Sequence, residues 1–442
     1  MADNRLLTES LCPVCLKRIE AKKVREGDQV FMVKTCPEHG DFKTIIWRDD
    51  PNYGSWRRSK TPAFPAKAFT QVDKGCPFDC GLCPRHRQHT CTALIEVTER
   101  CNLDCSFCFA DAGGNYGPDM ETIGFYYDRI MESSQGCNIQ ISGGEPTMRE
   151  DLPRIIRLGH KKGFRFIQLN TNGLKLADYD YVLKLKEAGL NSVFLQFDGL
   201  DDGIYEKLRG ARILEKKLKA INNLCKAGIG TILVVTVVPG INDHCLYDIV
   251  KFGSENIPGV RGVHFQPVSY FGRIPKIPTD EDRITLPEVM SKLSDQSDGT
   301  IDIKDFKAPC CENSYCSFNG SFIVRDDKLV AIGNNRKRPS EKSLEKIQDG
   351  AEGSAKAKSF VEKNWAIREQ RQDNDKYASF TKLLNRIEHN RFAISAMGFM
   401  DAWDFDMERI RGCCIHVVSK EGNMIPFCAY NVTNIEGKSL YR

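Results

Sequence analysis

Cys101, Cys105 and Cys108 stand at spacing C-x3-C-x2-C, directly after the apolar run Ala93-Leu-Ile-Glu-Val-Thr98. Thiolates are the usual ligands of cluster irons, and a loop this short can wrap three of them round one cubane. Three ligands for four irons leave one iron open to chelate a small molecule, so the spacing favours catalysis over structure. The plainer alternative is a zinc loop, but zinc prefers paired C-x2-C knuckles with a fourth ligand. Downstream, Ser142-Gly-Gly-Glu145-Pro closes a second strand-like run. Gly143 and Gly144 have no Cβ and let backbone come close to a ligand. Glu145 offers a carboxylate to a ligand ammonium.

Two further thiol sets surround this loop. Cys76, Cys80 and Cys83 repeat the spacing, and Cys91 follows. Four thiolates complete a cluster without an open iron, and the set does not follow a strand-like run, so it reads as auxiliary. His86 and His89 between them read as loop residues. Near the other end, Cys310-Cys311, Cys316, Cys413-Cys414 and Cys428 offer a second auxiliary set. Cys311, Cys316, Cys413 and Cys428 are the expected ligands, with the choice inside each adjacent pair open. At the N-terminus, Cys12-Pro-Val-Cys15 and Cys36-Pro-Glu-His39 flank an alternating strand at 29–34. C-x2-C followed by C-x2-H is mononuclear spacing for zinc or a rubredoxin-like iron, with His39 either the fourth ligand or a surface residue of the turn. So short a module buries little core, so the metal would supply folding energy. Cys137, Cys225 and Cys245 remain as ordinary buried thiols.

The chain has 442 residues, 19 cysteines and a formal net charge of +4. An odd cysteine count in a chain this large, with a polar Met1-Ala-Asp-Asn-Arg start, argues against secretion and disulfides. The expected location is the cytoplasm, in an anaerobic host, since oxygen destroys exposed clusters. Charge is spread along the chain, so nucleic acid is not an expected partner. No apolar run is long enough to cross a membrane, although hydropathy leaves peripheral contact at the inner membrane face open.

Elements must position these residues. Strand candidates at 93–98, 137–142, 165–170, 192–197, 230–238 and 260–267 alternate with helix candidates at 121–134, 150–162, 177–189, 211–227 and 245–255. Six strands alternating with helices predict an α/β fold with a parallel sheet and right-handed crossovers, in the form of a partial (β/α)6 TIM-like barrel. Polar residues gather at the strand C-terminal ends, where such folds keep their chemistry: Ser142, Asn170, Asn172, Gln196, Asp198, Thr236 and His264, with Tyr270 and Arg273 beyond. The charged stretch 335–380 reads as a solvated face, with a basic surface for anionic lipid as the alternative. The apolar stretch 390–404 reads as core.

The cluster loop with Gly-Gly-Glu-Pro resembles the radical S-adenosylmethionine (radical SAM) superfamily. The resemblance implies a [4Fe-4S] cluster on Cys101, Cys105 and Cys108. It also implies a site for S-adenosylmethionine built from Ser142, Gly143, Gly144, Glu145, Asn170, Asn172, Gln196, Asp198, Thr236 and His264. Cleavage there would yield a 5′-deoxyadenosyl radical that takes hydrogen from an unreactive carbon. Gly-Cys-Pro-Phe-Asp-Cys-Gly-Leu-Cys83, Val-His-Phe-Gln-Pro-Val-Ser-Tyr-Phe-Gly-Arg273 and Ile-Pro-Phe-Cys-Ala-Tyr-Asn431 are similar to the tetraether lipid synthase family. That narrower resemblance implies carbon–carbon bond formation between lipid chains, with radical methylation of a pterin or other small heterocycle as the alternative. A redox-sensing or electron-transfer iron–sulfur protein is the third reading, which leaves Gly-Gly-Glu-Pro without a purpose. The expected organisation is a zinc-ribbon-like module at 1–55, an auxiliary segment at 56–91, the radical SAM barrel at 92–275 and a C-terminal auxiliary-cluster region at 276–442. The cofactors expected are three [4Fe-4S] clusters, S-adenosylmethionine and one zinc or iron ion. A reduced ferredoxin- or flavodoxin-type donor and a lipid or small-molecule substrate complete the expected partners.

Overall fold

The computed structural model describes residues 7–332, 347–367 and 378–442. Much of the charged stretch expected at 335–380 therefore lies outside the described residues.

The N-terminal module is an antiparallel sheet of β1 (Leu7–Leu11), β2 (Arg18–Glu26), β3 (Gln29–Cys36) and β4 (Gly40–Trp47). It is fastened to the rest of the chain by buried polar contacts. Lys34 Nζ donates to Ala402 O at 2.7 Å, and Lys23 pairs with Asp406 at 2.7 Å.

The barrel strands are β5 (Thr92–Glu96), β6 (Asn138–Ser142), β7 (Ile167–Thr171), β8 (Ser192–Gln196), β9 (Gly230–Val237) and β10 (Val260–Pro267). They pair in sequence order, all parallel. Their residues are buried almost without alternation, as in β9 and β10. Sheets covered on both faces have this pattern. The crossovers are α1 (Met120–Ser134), α2 (Leu152–Lys161), α3 (Tyr179–Glu187), α4 (Asp202–Arg209), α5 (Leu214–Ala227) and α6 (Leu246–Glu255). Of these, α4 was not expected. It is a short helix capped by Asp201, and it ends on Gly210 at φ 72°.

The C-terminal region adds α7 (Leu286–Gln296), β11 (Ser317–Arg325), β12 (Lys328–Ala331), α8 (Gly350–Asn364), α9 (Ala378–His389), β13 (Arg391–Met397), α10 (Met407–Arg411), β14 (Ile415–Val418), β15 (Met424–Pro426) and α11 (Phe427–Asn431). Its strands join the barrel sheet at both edges. β13 runs parallel to β10, and β14 runs parallel to β5. The result is one sheet in the order β12-β11-β13-β10-β9-β8-β7-β6-β5-β14-β15. Among the described residues, no helix is long and apolar enough to cross a membrane.

Candidate active site and metal centres

The loop carrying Cys101, Cys105 and Cys108 leaves the C-terminal end of β5 and is held from several sides. Cys108 and Arg273 exchange backbone hydrogen bonds of 3.1 and 3.0 Å. The Arg273 side chain reaches Asp104 and donates to Ala112 O at 2.5 Å. Arg442 bonds Ala110 O at 3.0 Å and pairs with Glu96 at 2.5 Å. From the other side, the end of α4 carries the loop: Ser106 N donates to Leu208 O at 3.1 Å.

Gly143 and Gly144 also make a close backbone approach within the chain. Gly144 N donates to Thr98 O at 2.7 Å, and Glu145 N donates to Arg100 O at 2.8 Å. A Cβ on Gly143, at φ +128°, would sit 2.3 Å from Thr98 O. One on Gly144 would sit 2.4 Å from Arg100 O. The pair lets the end of β6 lie against the backbone that opens the cluster loop.

Glu145 is buried, and its carboxylate is fixed by its neighbours. Oε1 accepts from Thr147 N at 3.0 Å, Thr147 Oγ1 at 2.6 Å and Thr171 Oγ1 at 2.7 Å. Oε2 accepts from Asn172 N at 2.7 Å, which leaves it a second acceptor position. Asn170 Oδ1 is buried and has no hydrogen-bond partner among the described residues. Both residues line one cavity of about 510 Å³, together with the three loop cysteines, Ser142, Gly143, Gly144 and Asn172. An orphaned acceptor and a carboxylate with spare capacity beside three thiols fit a ligand that carries an ammonium group and binds at the cluster.

Asp198 does not line this cavity; Gln196, Thr236 and His264 do. Its carboxylate is engaged by Arg209, through Nε at 2.7 Å and Nη2 at 2.9 Å, and by Thr236 N at 3.1 Å. Asp198 thus acts through Arg209, whose guanidinium lies against the Cys105 thiol. Burial pushes that thiol up, and the Arg209 charge works against the shift. Lys217 holds the neighbouring strand ends. Its Nζ donates to Asn172 O at 2.6 Å and to Gln196 O at 2.8 Å. Sequence reading missed Arg209, Lys217 and Arg442. The one local signal was the Leu208-Arg209-Gly210 helix end.

Further down the barrel, His264 Nδ1 meets Ser395 Oγ at 2.9 Å. Burial pushes its pKa down to about 4, so it is a neutral imidazole near pH 7. Phe194 and Trp365 stack beside it, with ring centroids 5.4 Å apart. Tyr270 is buried, and its hydroxyl donates to Asp282 O at 2.7 Å. It does not line the cavity.

The N-terminal ligand set comes together. Cys15 Sγ and Cys36 Sγ are 4.0 Å apart, and His39 Nδ1 lies 3.4 Å from Cys36 Sγ and 3.7 Å from Cys12 Sγ. Tetrahedral zinc with ordinary bond lengths asks for S–S near about 3.8 Å and S–N near about 3.5 Å. Cys12, Cys15, Cys36 and His39 fit a mononuclear ion.

The auxiliary sets are grouped differently from the expectation. Cys76, Cys80 and Cys83 stay together. Cys91 does not complete them; its thiol lies beside Cys311 and Cys414. The reason is sheet pairing, which places the residue before β5 against the residue before β14. Cys311 likewise leaves the set expected with Cys316, Cys413 and Cys428. Those three remain neighbours of one another, with Arg409 Nε 3.3 Å from Cys316 Sγ.

Residues 95–253 match the radical SAM superfamily, and residues 6–48 match the HMPTM N-terminal zinc ribbon domain. The chain is 37% identical to the 7,8-dihydro-6-hydroxymethylpterin dimethyltransferase of Methanocaldococcus jannaschii, over 96% of this chain and 93% of that one. It is 31% identical to a probable GTP 3′,8-cyclase of Methanococcus aeolicus, over 56% of this chain and 90% of that one. The crystal structure of Streptococcus suis SuiB superposes with a TM-score of 0.41 at 17% identity, over 48% of this chain and 47% of that one. The relative matched along nearly its whole length is named for methyl transfer to a pterin, which overturns the expectation of carbon–carbon bond formation between lipid chains. The lipid substrate and the membrane contact tied to that expectation have no support in this match. The chain is a radical SAM enzyme, and it belongs to the family of that pterin dimethyltransferase.

Proposed function

We propose that this enzyme methylates a pterin or a similar small heterocycle at an unactivated carbon. The observation that carries the reading is the near-complete match to a pterin dimethyltransferase, which spans the metal module, the barrel and the C-terminal strands together. Cys101, Cys105 and Cys108 would hold the [4Fe-4S] cluster, and Glu145, Asn170 and Asn172 would orient S-adenosylmethionine at it. Bound there, S-adenosylmethionine supplies a radical that removes hydrogen from the substrate carbon, and a second molecule supplies the methyl group. Each methyl added then consumes two electrons from a reductant and leaves methionine, 5′-deoxyadenosine and S-adenosylhomocysteine.

The chain's own residues bind, orient and keep water out. Phe107, Phe109, Phe271 and Phe427 give the cavity mouth an apolar wall. Phe194 and Trp365 offer flat faces to a ring, and neutral His264 offers a donor or acceptor without a charge. Cys12, Cys15, Cys36 and His39 form a closed zinc site whose role is to fold β1–β4. Cys76, Cys80 and Cys83, and Cys316, Cys413 and Cys428, would serve further iron–sulfur sites, and the reductant is a small protein of ferredoxin or flavodoxin type.

Anaerobically reconstituted enzyme, reduced with S-adenosylmethionine and 7,8-dihydro-6-hydroxymethylpterin, tests the reading by mass spectrometry. The expected products are 5′-deoxyadenosine and S-adenosylhomocysteine rising in step with a methylated pterin. Absence of 5′-deoxyadenosine would defeat the radical assignment. 5′-Deoxyadenosine without S-adenosylhomocysteine would defeat methylation while leaving the radical chemistry in place.

A further inference from the structure

Two carboxylates line the cavity among the described residues, Glu145 and Glu312. They stand at its opposite ends. Glu145 follows β6, beside the catalytic loop. Glu312 Oε2 lies 3.7 Å from Cys414 Sγ, just before β14. Ile415 of β14 pairs with Thr92, the first residue of β5, whereas the catalytic loop follows the last. The 5 residues of β5 therefore separate the two ends, a span of about 16 Å.

Glu145 has most of its capacity taken up within the chain; Glu312 does not. Its Oε1 accepts from Ser317 Oγ. Its Oε2 has only the Cys414 thiol beside it, a weak donor. A carboxylate offers about four acceptor positions, so spare ones remain for a ligand. Among the described residues no ion pair engages it. The two cations that line the cavity are Arg209, bound to Asp198, and Lys356, which pairs with Glu352 at 2.7 Å. Lys60 Nζ donates to the main-chain oxygen of Glu312. With Gln88 Nε2 on Cys311 O at 2.7 Å and Trp56 Nε1 on Ser314 O at 2.9 Å, that contact pins the segment that carries the carboxylate. An acceptor fixed in advance costs a ligand little ordering.

A half-buried carboxylate with free lone pairs, beside the apolar Phe360 and Val361 of α8, suits a flat ligand with two parallel N–H donors on one edge. The 2-amino-4-oxopyrimidine ring of a pterin has such an edge, made by the exocyclic amine and the adjacent ring N–H. The geometry points to Glu312 as the specificity residue that receives this edge, an inference that rests on the pterin reading above. The ring's other half, which in 6-hydroxymethylpterin carries the hydroxymethyl carbon, then faces the catalytic loop.

Equilibrium binding to the anaerobic full-length protein at neutral pH tests the assignment with two rings. One is 7,8-dihydro-6-hydroxymethylpterin; the other is its lumazine counterpart, in which an oxo group replaces the amine. The wild-type protein should favour the pterin by at least about tenfold, because the lumazine oxygen would meet the carboxylate with no proton between them. Glu312→Gln keeps the shape but presents one donor and one acceptor, which match the lumazine edge. Its preference should shrink or reverse, with iron and zinc content at the parent level. An unchanged preference in Glu312→Gln overturns the clamp while leaving the pterin reading in place. A wild-type protein that binds neither ring overturns the pterin reading and the clamp with it. If Glu312→Gln does not fold or loses metal, the wild-type comparison decides, and equal affinity for the two rings overturns the clamp.

Discussion

Arg209 and Asp198 form a buried ion pair with bonds of 2.7 and 2.9 Å, and the guanidinium also faces Cys105. Removing one partner leaves the other charge buried and unpaired, which costs about 3–5 kcal/mol. Arg209→Ala should therefore lower thermal stability by that order and loosen the cluster, read as faster bleaching of its visible absorbance. Arg209→Lys keeps a charge but not the planar fork, and should fall between. His264 gives a prediction in pH. Burial lowers its folded pKa to about 4, so between about pH 6.5 and 4 the unfolded chain binds the extra proton. Its contribution is intact above pH 6.5 and is lost as pH falls toward 4, by up to about 3 kcal/mol. His264→Gln should flatten that part of the stability profile in acid unfolding; an unchanged slope would show that the imidazole is not buried neutral.

At the scale of elements, the glycine pair after β6 makes a sharp case. A Cβ at either position collides with carbonyl oxygens of the cluster loop. Gly143→Ala and Gly144→Ala should therefore displace the loop and lose the iron of the catalytic cluster, while zinc stays at one per chain. The opposite pattern follows from Cys12→Ala: zinc is lost and β1–β4 become protease-sensitive, since about 40 residues cannot hold a fold on core alone. If that variant resists proteolysis like the parent, the metal is not what folds the module. The six barrel strands were legible because each is a short apolar run ended by polar residues. Gly143 and Gly144 were legible as a close approach but not as to what, because the partner is a loop more than forty residues earlier. The grouping of Cys91 with Cys414 was invisible, because it follows from β14 pairing with β5 across most of the chain's length. The short helix α4, and with it Arg209, lacked the periodic length that marks a helix in sequence.

For the whole molecule, one cavity runs from the catalytic loop to the floor, and α8 closes its lower end. Lys358 Nζ bonds Gly136 O at 2.9 Å, and Arg261 Nε bonds Asn364 O at 3.3 Å, so α8 is moored to both sides of the barrel. Ala357, Phe360 and Val361 of that helix face the cavity, whereas Glu145 and Asn172 lie at its other end. S-adenosylmethionine and the heterocycle would then occupy opposite ends, and a bulky side chain at the floor should separate their binding. Ala357→Trp should leave 5′-deoxyadenosine formation near the parent rate while methylated product falls about tenfold, the effect of about 1.4 kcal/mol of lost substrate binding. Mass spectrometry of both products from one reaction checks it. If the two fall in parallel, the substitution has disturbed the whole barrel; if product is unchanged, the substrate does not extend to α8, and the lower half of the cavity has another use.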